Sequence, residues 1–466
     1  MAVARTHRTD PIRLPCRHAA ATVLLLMLFA ACLAACANPA NRPSNLRRSL
    51  AAPVARSFAS ASEGGSTAVI VALSGGGARS AAFGYGVLSA LAEQRASGRT
   101  GRSLADEVTA IAGVSGGGIL AAHFALRGPQ GLPAFRRDFL DQDPEGALRT
   151  SFTPINLLRG YRGGVNDLSG LADWLDAHLY RGASLGDLDQ PGRPRLLLHA
   201  TELYNRAPFP FDRDSFRAIC SDYDAFPLAH AVAASSAVPV LFSPIVLENF
   251  NPTCPAAGHG TPSHERSAFA RHVEASQTRY ANEPELHYLK LLDGGLVDNL
   301  AVRNLIRAMS RPAPALVSAQ AAQRLRRVVV IVADASMRVG GGMSRAIDGP
   351  DAPEAITASV DAMIDNASRA SLDALERETA NWRERLLRWR CGLAAPEGHC
   401  RQLQVTLVRL SLSDIDSPEE KRRILQLHNK LTLKADEVDF LSNLGRRLLS
   451  ANPDYRRAVK SPPFDG

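Results

Sequence analysis

Two hydrophobic periods alternate along the chain. Thr67 to Leu73 (TAVIVAL) is a continuous apolar run of β-branched and small residues, and SGGGARS and then AAFGYGVLSALAEQRA at helical spacing follow it. The pattern predicts a strand, a glycine loop and a helix. It recurs where Val108 to Ala112 (VTAIA) leads through GVSGGG into ILAAHFALR, and further strands are expected at Arg195 to Thr201 and Arg327 to Ala333. Strands alternating with helices imply an α/β domain on a largely parallel sheet, with functional residues beyond the carboxyl ends of the strands. Both glycine loops fall there. Residues 248–288, rich in Asn, Pro, Gly and His, interrupt the pattern as a surface excursion close to the site, with room for one short amphipathic helix. From about Ala352 the chain turns strongly helical, and a strand (QLQVTLVRL) and two more helices complete a mainly helical C-terminal region, 336–466.

The first 35 residues break this regime. Arg5, Arg8, Arg13 and Arg17 precede an apolar stretch from Ala19 to Leu33, and Leu33-Ala34-Ala35-Cys36 follows. The stretch is shorter than the roughly 20 residues a membrane span needs and has the layout of an export signal. It resembles a bacterial lipoprotein signal, 1–35, with Cys36 as the lipidated first residue and Cys32 as a weaker competing site. An ordinary secretory signal cut near Ala35 is the alternative. The Pro-, Ser-, Asn- and Ala-rich residues 36–65 are expected to form a flexible tether. Ala37 after Cys36 is not an inner-membrane-retention aspartate, so by the same resemblance the chain is expected on the cell envelope at the outer membrane.

The whole chain of 466 residues is 45% hydrophobic and 21% charged, ordinary globular usage that excludes wholesale disorder and a polytopic membrane protein. Its formal charge of +8 comes without a Lys/Arg-rich run, so no nucleic-acid partner is expected, and a mild positive excess suits an anionic lipid surface equally well. If Cys16 and Cys32 leave with the signal, Cys220, Cys254, Cys391 and Cys400 remain beside Cys36, an even number for an oxidising compartment. Cys391 and Cys400 bracket a short loop (CGLAAPEGHC) and are expected to pair, leaving Cys220 with Cys254. Zinc is the rival reading, but there is no CxxC pair.

Three residue sets could carry chemistry. Gly113-Val114-Ser115-Gly116-Gly117 is a GxSxG set between strand and helix, where a tight turn with small neighbours exposes a serine hydroxyl to substrate. Gly75-Gly76-Gly77-Ala78-Arg79 can turn several amides towards one point, which suits an oxyanion or a phosphate; no GK[ST] follows. Asp293-Gly294-Gly295 ends an apolar strand with an acid on a flexible turn, which is either an ordinary Asp-Gly turn or a base able to reach a neighbouring serine. Asn299 is expected to cap or close that turn. His123, His199, His230 and His287 have no adjacent orienting acid and read as core or surface histidines, and Trp174, Trp382 and Trp389 as packing residues. The basic C-terminal helices (RERLLRWR, KRRILQLHNK) read as solvated faces.

In this order, GGGxR after the first strand, GxSxG after the next and DGG far downstream resemble the patatin-like phospholipase family, over about 66–335. LLLHATELYNRAPFPF and AVAASSAVPVLFSPI also resemble segments of that family. The resemblance implies a three-layer α/β/α sandwich and a serine lipid acyl hydrolase with a Ser–Asp dyad. Ser115 would be the nucleophile, Asp293 its base, Gly75, Gly76 and Gly77 the oxyanion loop, and Arg79 its basic element. The implied substrate is a phospholipid or other acyl lipid, with no metal or organic cofactor. Ser80 stands where the family usually has glycine, and 248–288 is longer than the usual link. A general carboxylesterase and a non-catalytic, membrane-tethered scaffold are the competing readings.

Overall fold

The computed structural model describes residues 42–49, 65–96, 101–148, 153–161, 164–166, 168–251, 267–312, 314, 316–337, 347, 349–350, 352–392, 400–427 and 430–460. Cys36, Cys254 and the export segment lie outside them. Eight strands form one sheet: β1 (Thr67–Leu73), β2 (Val108–Gly113), β3 (Arg195–Glu202), β4 (Ala207–Pro210), β5 (Ile245–Glu248), β6 (Tyr288–Leu292), β7 (Arg327–Asp334) and β8 (Gln404–Ser411). Their order is β5-β6-β3-β2-β1-β7-β8, with β4 paired to β3. The five central and C-terminal strands β3, β2, β1, β7 and β8 run parallel, and the β3–β4, β3–β6 and β5–β6 pairs are antiparallel. The largely parallel α/β sheet expected from the alternating pattern is therefore what the chain forms.

Buried on both faces, β1 has no polar side. Val69, Val71 and Leu73 pack into one core, and Ala68, Ile70 and Ala72 into another. This is why the strand reads as an unbroken apolar run. The first core is covered by α1 (Gly77–Glu93), α2 (Ser115–Arg127) and α3 (Leu228–Ser235). Helix α4 (Ala268–Asn282) belongs to the 248–288 excursion, whose residues 252–266 lie outside the description. It docks on the β3–β4 hairpin, where the Tyr280 hydroxyl donates to the buried Glu202 carboxylate at 3.1 Å.

On the second face lie α5 (Arg303–Met309) and the long α6 (Ala352–Cys391), whose Trp382, Leu375 and Leu386 are fully buried. Helices α7 (Pro418–Leu425) and α8 (Ala435–Ala451) return to the first face. There α8 approaches α1 so closely that a Cβ at Gly86 would overlap the Ser442 carbonyl. The C-terminal region thus adds a strand to the same sheet and helices to both layers. Cys391 and Cys400 are joined by a disulfide with Cα atoms 5.2 Å apart. Residues 44–48, within the segment expected to be a tether, run along the sheet edge, and the Ser44 amide donates to the Val246 carbonyl at 3.2 Å. An edge strand has unpaired main-chain groups to offer such a segment. No described helix is long and apolar enough to cross a membrane.

Candidate active site

The parallel register of β1 and β2 pairs Leu73 with Gly113, so the two glycine loops leave the sheet side by side. Ser115 opens α2 with φ 52°, a conformation costly for a residue with a Cβ and held here by its surroundings. Its amide donates to Ser235 Oγ at 3.2 Å. Glycine at 116 is a steric necessity, because a Cβ there would overlap the Gly77 carbonyl. The GxSxG and GGG loops are in van der Waals contact at that point.

Asp293 arrives from the opposite direction on β6, which runs antiparallel to β3. Three bonds fix its turn: the Asp293 amide donates to Ala237 O at 2.8 Å, the Gly294 amide to Ser235 O at 3.1 Å, and Thr201 Oγ1 to Asp293 O at 2.7 Å. The carboxylate accepts the Gly295 amide at 2.7 Å, and the nearby Ser115 hydroxyl favours its ionised form. Burial pushes the carboxyl up to about 6, against the smaller opposing effect of those two donors. With both side chains 8% exposed, the pair is shielded but reachable, and the acid is a better base than a free aspartate.

Of the three loop glycines the structure separates the roles. The Gly75 amide donates to Asn299 O at 2.8 Å and is not open to a ligand. The Gly76 and Gly77 amides lie at the start of α1, where a helix has no internal acceptor, and both residues have positive φ, 132° and 60°. The next amide, of Ala78, donates to Lys430 O at 2.7 Å. Arg79 is buried and its guanidinium donates to Ala335 O at 3.1 Å and Leu427 O at 2.9 Å. Desolvation lowers it to about 10, opposed by Asp334 and Asp361. It braces the loop from behind. Ser80 donates to Ser74 O, so the small hydroxyl is absorbed within the turn.

Sequence reasoning named Asn299 only as a turn-closing residue. It also bridges the two loops, accepting from Gly75 through its carbonyl and donating Nδ2 to Ser336 Oγ at 2.9 Å. Ser235, Thr201, Leu427 and Lys430 were not singled out, since each acts through packing or a main-chain oxygen that no motif marks. The histidines stand apart from the Ser115 hydroxyl. His123 Nε2 lies 3.0 Å from Gly131 O, and desolvation lowers it to about 4. His199 is buried under the DGG turn, Nε2 3.2 Å from Gly294 O. Among the described residues no group of His, Cys, Asp and Glu could hold a metal ion.

A patatin-like phospholipase family model matches residues 71–306, and the chain belongs to that family. No curated protein matches it. Two solved structures of human GIVD cytosolic phospholipase A2 are similar. One, in complex with methyl gamma-linolenyl fluorophosphonate, is 14% identical with a TM-score of 0.33, covering 82% of this chain and 57% of that one. The other is 16% identical with a TM-score of 0.31, covering 57% and 42%. The chain thus spans about half the length of these structures.

Proposed function

We propose that the protein is a serine lipid acyl hydrolase in which Ser115 and Asp293 form a catalytic dyad. The observation that carries this reading is the Ser115 hydroxyl beside a desolvated Asp293 carboxylate whose ionised form it favours, next to the Gly76 and Gly77 amides, which have no hydrogen-bond acceptor among the described residues. Ser115 Oγ attacks the ester carbonyl carbon while Asp293 takes the hydroxyl proton. The Gly76 and Gly77 amides stabilise the tetrahedral oxyanion, and the protonated Asp293 returns its proton to the departing alcohol oxygen. Water, deprotonated by the same carboxylate, then attacks the acyl carbon, and as the acyl–Oγ bond breaks Asp293 returns that proton to Ser115 Oγ, releasing the fatty acid. Family membership supports a lipid ester as substrate. The apolar signal ending at Cys36 supports export and lipid anchoring in the cell envelope.

The test is turnover of a chromogenic acyl ester and of phospholipid in mixed micelles, with fluorophosphonate labelling, by the wild type, Ser115→Ala and Asp293→Asn. Hydrolysis by the wild type and losses of about 10³-fold or more in both folded variants are expected. A wild type that is inert on every ester and unlabelled would favour a non-catalytic scaffold. Anchoring is read separately: labelled fatty acid incorporated in cells should disappear in Cys36→Ala.

A further inference from the structure

Beyond the carboxyl ends of β7 and β8 lies a cavity of about 450 Å³ bordered by Asp334, Ser336, Asp365, Arg369, Arg409 and Lys421. It adjoins a cleft of about 190 Å³ that runs over Gly75, Gly76 and Asn299, and the two share Ser336, Met337 and Asp365. A Cβ built at Gly75 would lie 3.5 Å from the Ser115 Cβ. The cleft that adjoins the cavity thus reaches Gly75, the immediate neighbour of Ser115. Except for Leu300, every residue lining that cavity follows position 306, where the family match ends. The cavity, unlike the cleft, is built almost wholly by the chain's C-terminal region.

Its chemistry is mixed. Arg369 points one nitrogen at Asn366 Oδ1, 2.7 Å away, while the side chains of Arg409 and Lys421 form no salt bridge among the described residues. Two carboxylates line the same cavity. Asp334 is held by the Ser336 amide at 2.9 Å, and Asp365 sits one helical turn after Asp361 on the face of α6 that lines the cleft. Cations and carboxylates around one cavity, beside Leu300, Met337, Leu372, Leu412 and Leu425, match a lipid that carries a phosphate and an ammonium group together.

We propose that this cavity is the subsite for a zwitterionic phospholipid head group, with Arg409, Lys421 and Arg369 receiving the phosphate and Asp334 and Asp365 receiving the ammonium. The assignment rests on the lipid hydrolase reading above. It places the acyl ester at Ser115 and the head group over the glycine loop towards β8, so that selectivity for phospholipid resides in the C-terminal region.

The experiment uses the full chain with Arg409→Ala, Lys421→Ala and the double substitution, all at exposed positions. Turnover of phosphatidylethanolamine in mixed micelles is compared with that of diacylglycerol of the same acyl chains. Binding of glycerophosphoethanolamine and of inorganic phosphate to the Ser115→Ala chain, with and without the double substitution, is measured by calorimetry. The expected result is a tenfold or greater fall in the phosphatidylethanolamine-to-diacylglycerol ratio of kcat/KM, carried by KM, and a matching loss of glycerophosphoethanolamine binding. An unchanged ratio with unchanged binding overturns the proposal. Inorganic phosphate binding as tightly as glycerophosphoethanolamine also overturns it, making the cavity a site for free anions. If the wild type hydrolyses no ester, the hydrolase reading fails and turnover is silent, and the calorimetry alone decides whether the head group binds here.

Discussion

The amide of Ala78 donates to the carbonyl of Lys430 across 2.7 Å. This bond ties the first turn after the glycine loop to a segment near the end of the chain. A Cβ at Gly77 would overlap that same carbonyl, and Gly77 has φ 60°. Gly77→Ala is therefore expected to displace the 430 segment and reorient the loop amides. The expected loss in kcat is about 100- to 1,000-fold, the usual effect of removing an oxyanion donor. Steady-state kinetics on a soluble ester, with near-ultraviolet circular dichroism to establish folding, measures it.

In the proposed mechanism Asp293 is the base, and this sets a pH dependence. Only its ionised form can accept the Ser115 proton, and burial raises its pKa to about 6. The kcat/KM for a non-ionising ester should rise with pH up to about 6 and level off above it. A profile whose acid limb falls instead near 4 would mean that the carboxylate is solvated during catalysis.

The same burial affects stability. The native carboxyl holds its proton up to about pH 6 and the unfolded one only up to its ordinary 3.8. The native state therefore binds more protons between those values, and stability is lost as pH rises from about 4 to about 6. Asp293→Asn removes the charge and keeps an acceptor for the Gly295 amide. It should be more stable than the wild type at pH 7.5, by up to about 3 kcal/mol at 1.36 kcal/mol per pKa unit. The gain should vanish at pH 4. Urea unfolding at the two pH values checks both the sign and the window.

Arg79 makes a structural prediction. One guanidinium joins Ala335 O to Leu427 O behind the glycine loop, and a lysine has no planar fork with which to span them. Arg79→Lys should cost about 1.5–3 kcal/mol, the value of a lost hydrogen bond to a charged group. Denaturant midpoints give the stability. Activity should fall with the integrity of the loop rather than show a new pH limb.

Much was determined by the sequence alone. The unbroken apolar run of β1 announced a strand buried on both sides, and strand-loop-helix repeats announced a parallel sheet, because side-chain period follows directly from backbone geometry. The order of GGGxR, GxSxG and DGG picked out the elements that meet at Ser115, since glycines are needed wherever two main chains touch. Tertiary structure alone decided how these parts are used. It commits the Gly75 amide to Asn299, turns Arg79 towards two distant carbonyls and brings Lys430 against the loop. It also merges the C-terminal helices and β8 with the catalytic sheet. These are contacts between main-chain groups far apart in sequence, and a carbonyl oxygen is the same in every residue. No pattern of side chains can encode them, and only packing selects which ones meet.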